Sequence, residues 1–229
     1  MDLKVFQLLL VLDKNKNFNY MNKNFFLIEH PLIKRDVTIL RDIKTSSDTF
    51  RAALQRVSNV LAVEISKNFK LSEIEIDTPL EKTTGAKLTH DVILVPVLRA
   101  GLGMVNGFLQ IIPEAKVGHI GLQRDEETLK PIEYYYKVPK NLDSSEVIML
   151  DPMLATGGSA SEALKYLKKR GAKKLVFACL VAAPEGIKKI ETEHPDIKIF
   201  AAALDRELND KGYILPGLGD AGDRTFGTL

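Results

Sequence analysis

The sequence lacks the features of a disulfide-stabilised or membrane-spanning protein. Cys179 is the only cysteine among 229 residues, so no disulfide can form within the chain. Because Cys179 stands in an apolar run at residues 173–183, we interpret it as a buried thiol in a reducing compartment. No apolar run approaches the roughly 18 residues that a membrane-spanning helix requires. We therefore predict a cytoplasmic protein without a membrane partner.

Strong charge of either sign is also missing. Lysine and arginine together number 32 against 30 aspartates and glutamates, for a formal net charge of +2. Such a balance gives no general attraction to nucleic acid, and we predict no nucleic-acid partner. Any bound anion must instead be held by particular loops. The chain also lacks the Gly-Lys-Ser/Thr of a P-loop, which argues against a kinase of that type.

The N-terminal segment differs from the rest of the chain. Its apolar run VFQLLLVL, residues 5–12, is too short to span a bilayer and is not followed by a small-residue cleavage site. We interpret residues 1–20 as an atypical extension that is either disordered or a short docked helix, with Met21 as a candidate natural start. Residues 21–229 are then expected to form a single domain.

Short apolar runs alternate with amphipathic segments through the remaining chain. Five runs rich in β-branched residues suit strands of a parallel sheet covered on both faces: residues 91–98, 115–123, 146–151, 173–183 and 197–204. Helical spacing of apolar residues marks four other segments: residues 48–69, 101–112, 159–170 and 185–193. This alternation predicts a doubly wound α/β fold with a mostly parallel sheet flanked by helices.

Two of these helices have clear apolar stripes. In the first, the stripe comprises Leu54, Val57, Leu61 and Ile65. In the helix after residue 158 it comprises Ala160, Ala163, Leu164 and Leu167. The second stripe follows the i, i+3, i+4, i+7 pattern and the first has helical spacing of three or four residues, so both sets are predicted to face the core.

In open α/β sheets, ligands bind beyond the carboxyl ends of the strands, so the loops that follow the apolar runs carry the most information. The first such loop is DPMLATGGS, residues 151–159. Gly157 and Gly158 allow the backbone to approach a ligand closely, and the amides at a helix start suit a phosphate monoester. The Thr156 and Ser159 hydroxyls would add donors, while Asp151 would accept from sugar hydroxyls.

A simpler interpretation of the same loop remains open. Ser159 and Glu162 have the spacing of a capping box, which would make the loop an ordinary helix start. Glycine pairs are common in such loops, so the pattern alone does not decide between the two interpretations.

Two further loops present arginines. Arg99 follows the run 91–98 beside a glycine-rich turn, where it can bind a second anionic group bidentately, or simply lie on the surface. Arg124 follows the run 115–123 in the same way. The segment after it, DEETLKPIEYYYKVP, is typical of a hairpin arm. We interpret Tyr134, Tyr135 and Tyr136 as alternating between a packed and a wet face of that arm, in packing or a subunit contact.

The C-terminal tail, GYILPGLGDAGDRTFGTL, contains a GxGxxG pattern at residues 217–222. Only seven residues follow, which leaves no room for the helix and second strand of a dinucleotide-binding unit. A glycine-dense loop bearing Asp220 and Asp223 can nevertheless bring main-chain groups close to a flat ring. We therefore predict that the tail binds a base edge through its backbone.

Four motifs, VPVLRAGLGM, DPMLATGGS, LVAAPEG and GYILPGLGDAGD, together resemble the uracil phosphoribosyltransferase family. The resemblance runs from about Leu27 to the C-terminus. It implies a type I phosphoribosyltransferase-like fold with a small hood and a β-arm. It also implies the salvage reaction in which uracil and phosphoribosyl pyrophosphate (PRPP) give UMP and diphosphate.

The resemblance assigns roles to individual residues. It implies that Arg99 and Arg124 bind the pyrophosphate group and that Asp220 is a substrate-contacting acid. These three and Asp151 are the implied catalytic residues. The implied PRPP-binding loop comprises Asp151, Pro152, Met153, Leu154, Ala155, Thr156, Gly157, Gly158 and Ser159. The implied uracil-binding residues are Ile214, Gly219, Asp220 and Ala221.

The same resemblance implies Mg²⁺ as cofactor, a homo-oligomer such as a dimer or tetramer, and a GTP effector known in some members. Pro152 follows Asp151 where many phosphoribosyltransferases carry a second acid, so Mg²⁺ is expected to be held mainly by substrate and water. The four histidines have no metal-ligand spacing and receive no catalytic role. Two alternatives stay open: a phosphoribosyltransferase for another base, and an RNA-binding regulator of pyrimidine genes that senses nucleotides.

Overall fold

The computed structural model describes residues 23–124 and 131–228, so the expectations for residues 1–20 and for Met21 lie outside the described residues. Within these ranges the helices are α1 Pro31–Arg41, α2 Ser47–Ser66, α3 Leu102–Ile111, α4 Gly158–Lys169, α5 Pro184–Glu193 and α6 Ala221–Phe226. The strands are β1 Phe25–Leu27, β2 Leu71–Asp77, β3 Lys82–Leu88, β4 Val92–Leu98, β5 Lys116–Val117, β6 His119–Arg124, β7 Pro131–Lys137, β8 Glu146–Leu150, β9 Met153–Leu154, β10 Lys174–Ala182, β11 Lys198–Leu204, β12 Glu207–Leu208 and β13 Ile214–Leu215.

Nine strands form one central sheet. Their order is β1-β11-β10-β8-β4-β6-β7, with β5 beside β4 and β9 beside β10. All neighbours are parallel except β6 and β7, which form the predicted hairpin arm. The predicted α/β fold with a mostly parallel sheet is therefore confirmed. The strands β12 and β13 form a separate small antiparallel pair.

Helices cover both faces of this sheet. Along β4, Leu94 packs in the layer with α1, α2 and α3, whereas Ile93 and Val95 pack in the layer with α4 and α5. The predicted stripes of α2 and α4 are buried, one in each layer. Burial of a large aliphatic side chain contributes about 1.5–3 kcal/mol. Continuously apolar strands are thus stable here because they have a hydrophobic layer on either side.

The capping-box interpretation of the loop before α4 is wrong. The helix begins at Gly158, its N-cap is Gly157 with φ 78°, and no side chain caps it. Ser159 consequently lies inside the first turn rather than at the N-cap. The Glu162 carboxylate accepts from Lys165 at 3.2 Å instead of from the helix start. A left-handed N-cap of this kind favours glycine, since other residues adopt positive φ at a cost.

The tail holds more regular structure than its length suggested. The GxGxxG pattern overlaps the six-residue helix α6, and no strand follows that helix in the described chain, so the helix and second strand of a dinucleotide-binding unit do not form there. Asp220 is its N-cap and accepts from the Asp223 amide at 2.9 Å. Gly227, with φ 69°, ends it. Residues 221–226 therefore form a short helix that is capped at both ends.

Two other features differ from expectation. β2 and β3 pair as an antiparallel hairpin that the sequence analysis did not identify. On the arm, Tyr134 and Tyr135 are both exposed, so the predicted strict alternation of the tyrosines fails there. The cause is a register shift in which Gly121 pairs with Tyr135 and Leu122 with Glu133. No helix among residues 23–124 and 131–228 is long and apolar enough to cross a membrane.

Candidate active site

Three predicted site residues follow three adjacent strands. The strands β8, β4 and β6 are parallel neighbours, so their carboxyl ends meet at one edge of the sheet. Asp151 comes directly after β8, Arg99 directly after β4 through a cis peptide bond, and Arg124 is the last residue of β6. The side chain of Arg124 is outside the described structure. An acid and two arginines from separate loops thus start from the same sheet edge.

The loops that carry these residues are packed against one another. Gly101, two residues after Arg99, lies so close to the carbonyl oxygen of Leu150 that a side chain there would overlap it. Since Leu150 precedes Asp151, this contact joins the arginine loop to the acid loop. The tail also contacts the arginine loop, because a Cβ placed on Gly222 would lie 3.7 Å from the Cβ of Ala100. The motifs VPVLRAGLGM, DPMLATGGS and GLGDAGD therefore form one cluster.

The predicted PRPP-binding loop divides into a buried first half and an exposed second half. Pro152 and Leu154 are buried, and Leu154 packs in the core beneath α4. Their carbonyl oxygens accept from amides of β10 and of the residue after it, at 2.9–3.1 Å. Thr156 and Ser159 are exposed. The groups that can meet a phosphate are therefore those at the start of α4, where the first amides have no partner inside the helix.

The motif LVAAPEG packs against this loop. A Cβ on Gly186, near the start of α5, would lie 2.5 Å from the carbonyl oxygen of Ala155. Gly157 also lies close to Gly186, since a Cβ placed on Gly157 would lie 3.1 Å from the Gly186 carbonyl oxygen. The glycine of this motif is therefore required for its close packing against residues 154–157.

Asp151 is poorly solvated. It is half-buried by exposed area, and burial raises the pKa of its carboxyl to about 7. A hydrogen bond of 3.3 Å from the Met153 amide opposes that rise in pKa but does not cancel it. Its charge in turn adds to the burial that raises the pKa of the Cys179 thiol. A carboxylate held in such a place gains from any cation or hydroxyl donor brought to it.

The tail presents its predicted base-binding residues on a tight loop. Ile214 is buried in β13, opposite Leu208 of β12. Gly219 and Asp220 are exposed, whereas Ala221 is buried at the start of α6. One carboxylate oxygen of Asp220 accepts from the Asp223 amide. The exposed backbone between Leu218 and Ala221 is thus the part of the tail that a flat ligand can reach.

Arg99 itself contacts the tail. Its Nη2 donates to Oδ1 of Asp223 at 3.0 Å, while more than half of the arginine side chain stays exposed. Hydrogen bonds from Thr228 and from Arg99 hold the pKa of the Asp223 carboxyl below its usual value. The sequence placed Arg99 and Asp223 in different loops and gave no sign of this pair.

The donor set at this edge does not suit a protein-made metal cage. No group of three or more His, Cys, Asp or Glu side chains that could hold a metal occurs in residues 23–124 and 131–228. Asp151 stands alone at the strand end. A single carboxylate fits an ion such as Mg²⁺ that keeps most of its ligands from substrate and water.

Three residues next to the site escaped the sequence analysis. Arg41 ends α1, Asp205 follows β11, and Arg224 lies in α6. Each makes hydrogen bonds to the tail loop. Asp205 had a usable signal, since it is the acid directly after an apolar strand, like Asp151. Nothing in the pattern around Arg41 or Arg224 indicated a contact with the tail.

Comparisons with known proteins agree with this arrangement. The family model described as uracil phosphoribosyltransferase matches residues 27–228. Proteins named uracil phosphoribosyltransferase are 52% identical in Salinibacter ruber, over 90% of this chain and 98% of theirs, and 55% identical in Malacoplasma penetrans, over 89% and 98%. A solved protein structure from Aquifex aeolicus is 41% identical with a TM-score of 0.84, over 88% of this chain and 97% of that one. The chain belongs to the uracil phosphoribosyltransferase family.

Proposed function

We propose that the protein transfers the phosphoribosyl group of PRPP to uracil and releases UMP and diphosphate. The observation that carries the proposal is the convergence of three loops at one sheet edge: Arg99 and Asp151 follow adjacent strands, the start of α4 continues the Asp151 loop, and the tail contacts Arg99. Family membership supplies the substrates, since the relatives in Salinibacter ruber and Malacoplasma penetrans are named for this activity.

In the proposed mechanism the loop residues bind opposite ends of PRPP. The amides at the start of α4, with the hydroxyls of Thr156 and Ser159, bind the 5′-phosphate. Asp151 accepts hydrogen bonds from the ribose hydroxyls. Arg99 and Arg124 bind the diphosphate and stabilise the negative charge that grows on it as the bond to C1′ breaks. The ribose carries oxocarbenium character at that moment.

Uracil enters from the tail side. The backbone of Ile214 and of Gly219 to Ala221 would match its acceptor, donor, acceptor edge, with Asp220 as a substrate-contacting acid. The base nitrogen N1 forms the new bond to C1′ as the bond from C1′ to the diphosphate breaks, and the N1 proton passes to water. Cytosine would leave at least one backbone group unpaired, at a cost of ~1–3 kcal/mol. The tail therefore supplies specificity for the base while the arginines and Asp151 act on PRPP.

A Mg²⁺ ion bound to PRPP would supply positive charge that offsets part of the diphosphate charge. Asp151 is the side chain on the described sheet edge best placed to contact its water shell. The proposal predicts that Asp151→Asn weakens the dependence of the rate on Mg²⁺ concentration, measured from 0.1 to 10 times the PRPP concentration in a steady-state assay.

The proposed assembly is a homo-oligomer, and GTP is proposed as an effector. Support for an oligomer comes from the β2–β3 hairpin, whose exposed apolar side chains include Leu71, Ile76 and Leu80. An isolated two-stranded hairpin is marginally stable in water, so a partner surface would stabilise it. Support for GTP rests on family resemblance alone, and assays with and without GTP test it.

The experiment that separates the alternatives compares substrates and ligands in parallel. Purified protein is assayed with PRPP and each of uracil, cytosine, hypoxanthine and orotate, and separately for RNA binding at two salt concentrations. Uracil is expected to be used at least about tenfold more efficiently than any other base. Preferred use of another base, or salt-sensitive RNA binding without uracil turnover, would overturn the proposal.

A further inference from the structure

The backbone of Gly217, in the tail loop, is held by two side chains from distant parts of the chain. Its N–H donates to Oδ2 of Asp205 at 2.8 Å, and its carbonyl oxygen accepts from Nη1 of Arg41 at 2.8 Å. Both hydrogen-bonding groups of this one residue are thus satisfied by side chains rather than by another strand. We call Arg41 and Asp205 together the tail clamp.

The two clamp residues also bind each other. Arg41 donates from Nη1 to Oδ2 of Asp205 at 2.8 Å and from Nη2 to Oδ1 at 2.5 Å. The Asp205 side chain is 4% exposed and that of Arg41 is 25% exposed. Such a fork fixes the orientation of both groups. Because a buried ion pair often contributes no more stability than apolar residues of equal size, stability alone is a weak reason for it.

Each clamp residue is anchored in the rigid part of the fold. Arg41 is the last residue of α1, and Asp205 follows the central-sheet strand β11. The Asp205 amide donates to the carbonyl oxygen of Ala182 in β10 at 2.9 Å. The position of Gly217 is therefore set by the sheet and by α1, not by the tail's own short strands.

Gly217 lies in the middle of the proposed uracil-binding backbone. It follows Ile214 by three residues, precedes Gly219 by two, and has φ 62°. Its α-carbon approaches the Ile214 carbonyl oxygen so closely that a side chain would overlap that oxygen. A rotation of the Gly217 peptide would consequently displace the groups proposed to match the uracil edge on both sides.

A third side chain, that of Arg224, also holds this loop. Arg224 of α6 donates to the Leu218 carbonyl oxygen at 2.8 Å and to the Asp42 carbonyl oxygen at 2.6 Å. It also donates to the carbonyl oxygen of Leu40. The C-terminal end of α1 thereby fixes the tail loop at two consecutive residues, Gly217 and Leu218.

From this geometry we infer that Arg41 and Asp205 are positioning residues for base recognition: they set the place of the loop backbone that selects uracil, without touching the base. The inference rests on the proposed function, since it names what positions the base-binding loop of that same site. Loss of the clamp is expected to impair uracil use and to leave PRPP binding, which other loops carry, nearly unchanged.

The main test is Asp205→Asn, which keeps the shape of the side chain. An amide nitrogen at this position would face the donors of Arg41 or of Gly217, so one of the hydrogen bonds is lost. The matched control is Asp36→Asn. Asp36 is a 2% exposed carboxylate in α1, bound in a similar fork by Arg56 and also by Arg35, and both of these partners lie outside the tail.

We expect the KM for uracil to rise about tenfold in Asp205→Asn while the KM for PRPP stays within about twofold. Discrimination between uracil and cytosine should shrink as well. Asp36→Asn should leave both KM values within about twofold even where its melting temperature falls. Equal changes in both KM values of Asp205→Asn, or the same uracil-specific change in the control, would overturn the inference.

A second measurement keeps the inference testable apart from activity. Amide hydrogen exchange of the peptide covering residues 214–221 is expected to accelerate about tenfold in Asp205→Asn and to remain at the wild-type rate in Asp36→Asn. If Asp205→Asn does not fold, Arg41→Lys takes its place, since lysine keeps the charge but loses the fork. Wild-type protein without uracil turnover would refute the proposed function, and unchanged exchange in the clamp variants would refute the clamp.

Discussion

The guanidinium of Arg99 donates to Oδ1 of Asp223 at 3.0 Å, although 124 positions separate the two residues in the chain. This pair joins the loop proposed to bind diphosphate to the tail proposed to bind uracil. The Thr228 hydroxyl donates to the same oxygen at 2.6 Å, so Asp223 is itself fixed. Arg99 therefore has a defined direction before any substrate arrives.

Arg99 and Asp223 are expected to differ sharply in mutational effect. Arg99→Ala removes a donor that stabilises charge in the transition state, so kcat/KM for PRPP should fall about 100-fold. Asp223→Asn breaks only a largely exposed ion pair, worth about 0–1 kcal/mol, so the loss should stay below about fivefold. Arg35→Ala is the control, because Arg35 is about as exposed and also pairs with an aspartate. Equal losses in the two site variants would contradict this assignment.

Asp151→Asn is expected to lower turnover yet stabilise the fold at high pH. Burial raises the pKa of Asp151 from 3.8 to about 7. Between those values the folded state binds more protons than the unfolded state, so the free energy of unfolding falls as pH rises through this window. Removing the charge should restore at least about 1 kcal/mol at pH 8, or about 2–4 °C in melting temperature.

Melting curves of Asp151→Asn and wild type at pH 5 and pH 8 test this expectation. The melting temperatures of the two proteins should differ little at pH 5 and clearly at pH 8. The turnover of the variant should be reduced at both pH values. A variant that is less stable than wild type at pH 8 would contradict the pKa direction for Asp151.

The protonation of His194 is expected to make the free energy of unfolding depend on pH in the opposite sense. Its Nε2 lies 3.1 Å from the carbonyl oxygen of Ser161, and its Nδ1 lies 3.4 Å from the ammonium of Lys168, which can only donate. Burial, then the charge of Lys168, lowers the pKa of His194, although Glu193 and Asp196 partly oppose them. The neutral ring therefore links the first turn of α4 to the residue after α5.

Because the pKa of His194 is lowered in the folded state, the unfolded state binds more protons below about pH 6.5. The free energy of unfolding of wild type should therefore fall between pH 6.5 and 5.0 relative to His194→Gln. Urea denaturation at both pH values measures this difference, in which the contribution of Asp151 cancels. Identical pH slopes in the two proteins would contradict the lowered pKa.

Adjacent glycines in the loop proposed to bind PRPP provide a matched pair of variants. Gly157 has φ 78°, and a Cβ there would lie 3.1 Å from the carbonyl oxygen of Gly186, whereas a Cβ on Gly158 would meet only Thr156 at 3.7 Å. Gly157→Ala should lower the free energy of unfolding by about 1–2 kcal/mol and raise the KM for PRPP. Gly158→Ala should leave stability within about 0.5 kcal/mol of wild type. Equal destabilisation by both substitutions in urea would contradict the proposed geometry.

Sequence patterns predicted the central sheet well because its strands and helices have distinct periods. The stripe from Leu54 to Ile65 and the run before Asp151 needed only local information, since burial on one or both faces leaves a direct record in residue type. Asp151, Arg99 and Arg124 were identifiable for a similar reason, because each stands at the carboxyl end of an apolar strand.

The contacts that join the loops correspond to no pattern of residue types in the sequence. Arg41 and Gly217 are 176 positions apart, and an arginine at the end of an amphipathic helix looks like an ordinary solvated residue. The capping box at Ser159 failed because the N-cap is Gly157, with a positive φ, two residues before Ser159. Long-range hydrogen bonds and single backbone angles depend on the assembled fold, which local spacing does not encode.

The most direct test of the central claim is the formation of UMP from uracil, PRPP and Mg²⁺ by purified protein, followed by chromatography of the products. We predict that wild type and Arg35→Ala form UMP and diphosphate in equal amounts and at similar rates, and that Arg99→Ala is slower by about 100-fold. Absence of UMP with wild type, or formation of UMP at the same rate by Arg99→Ala, would contradict the account.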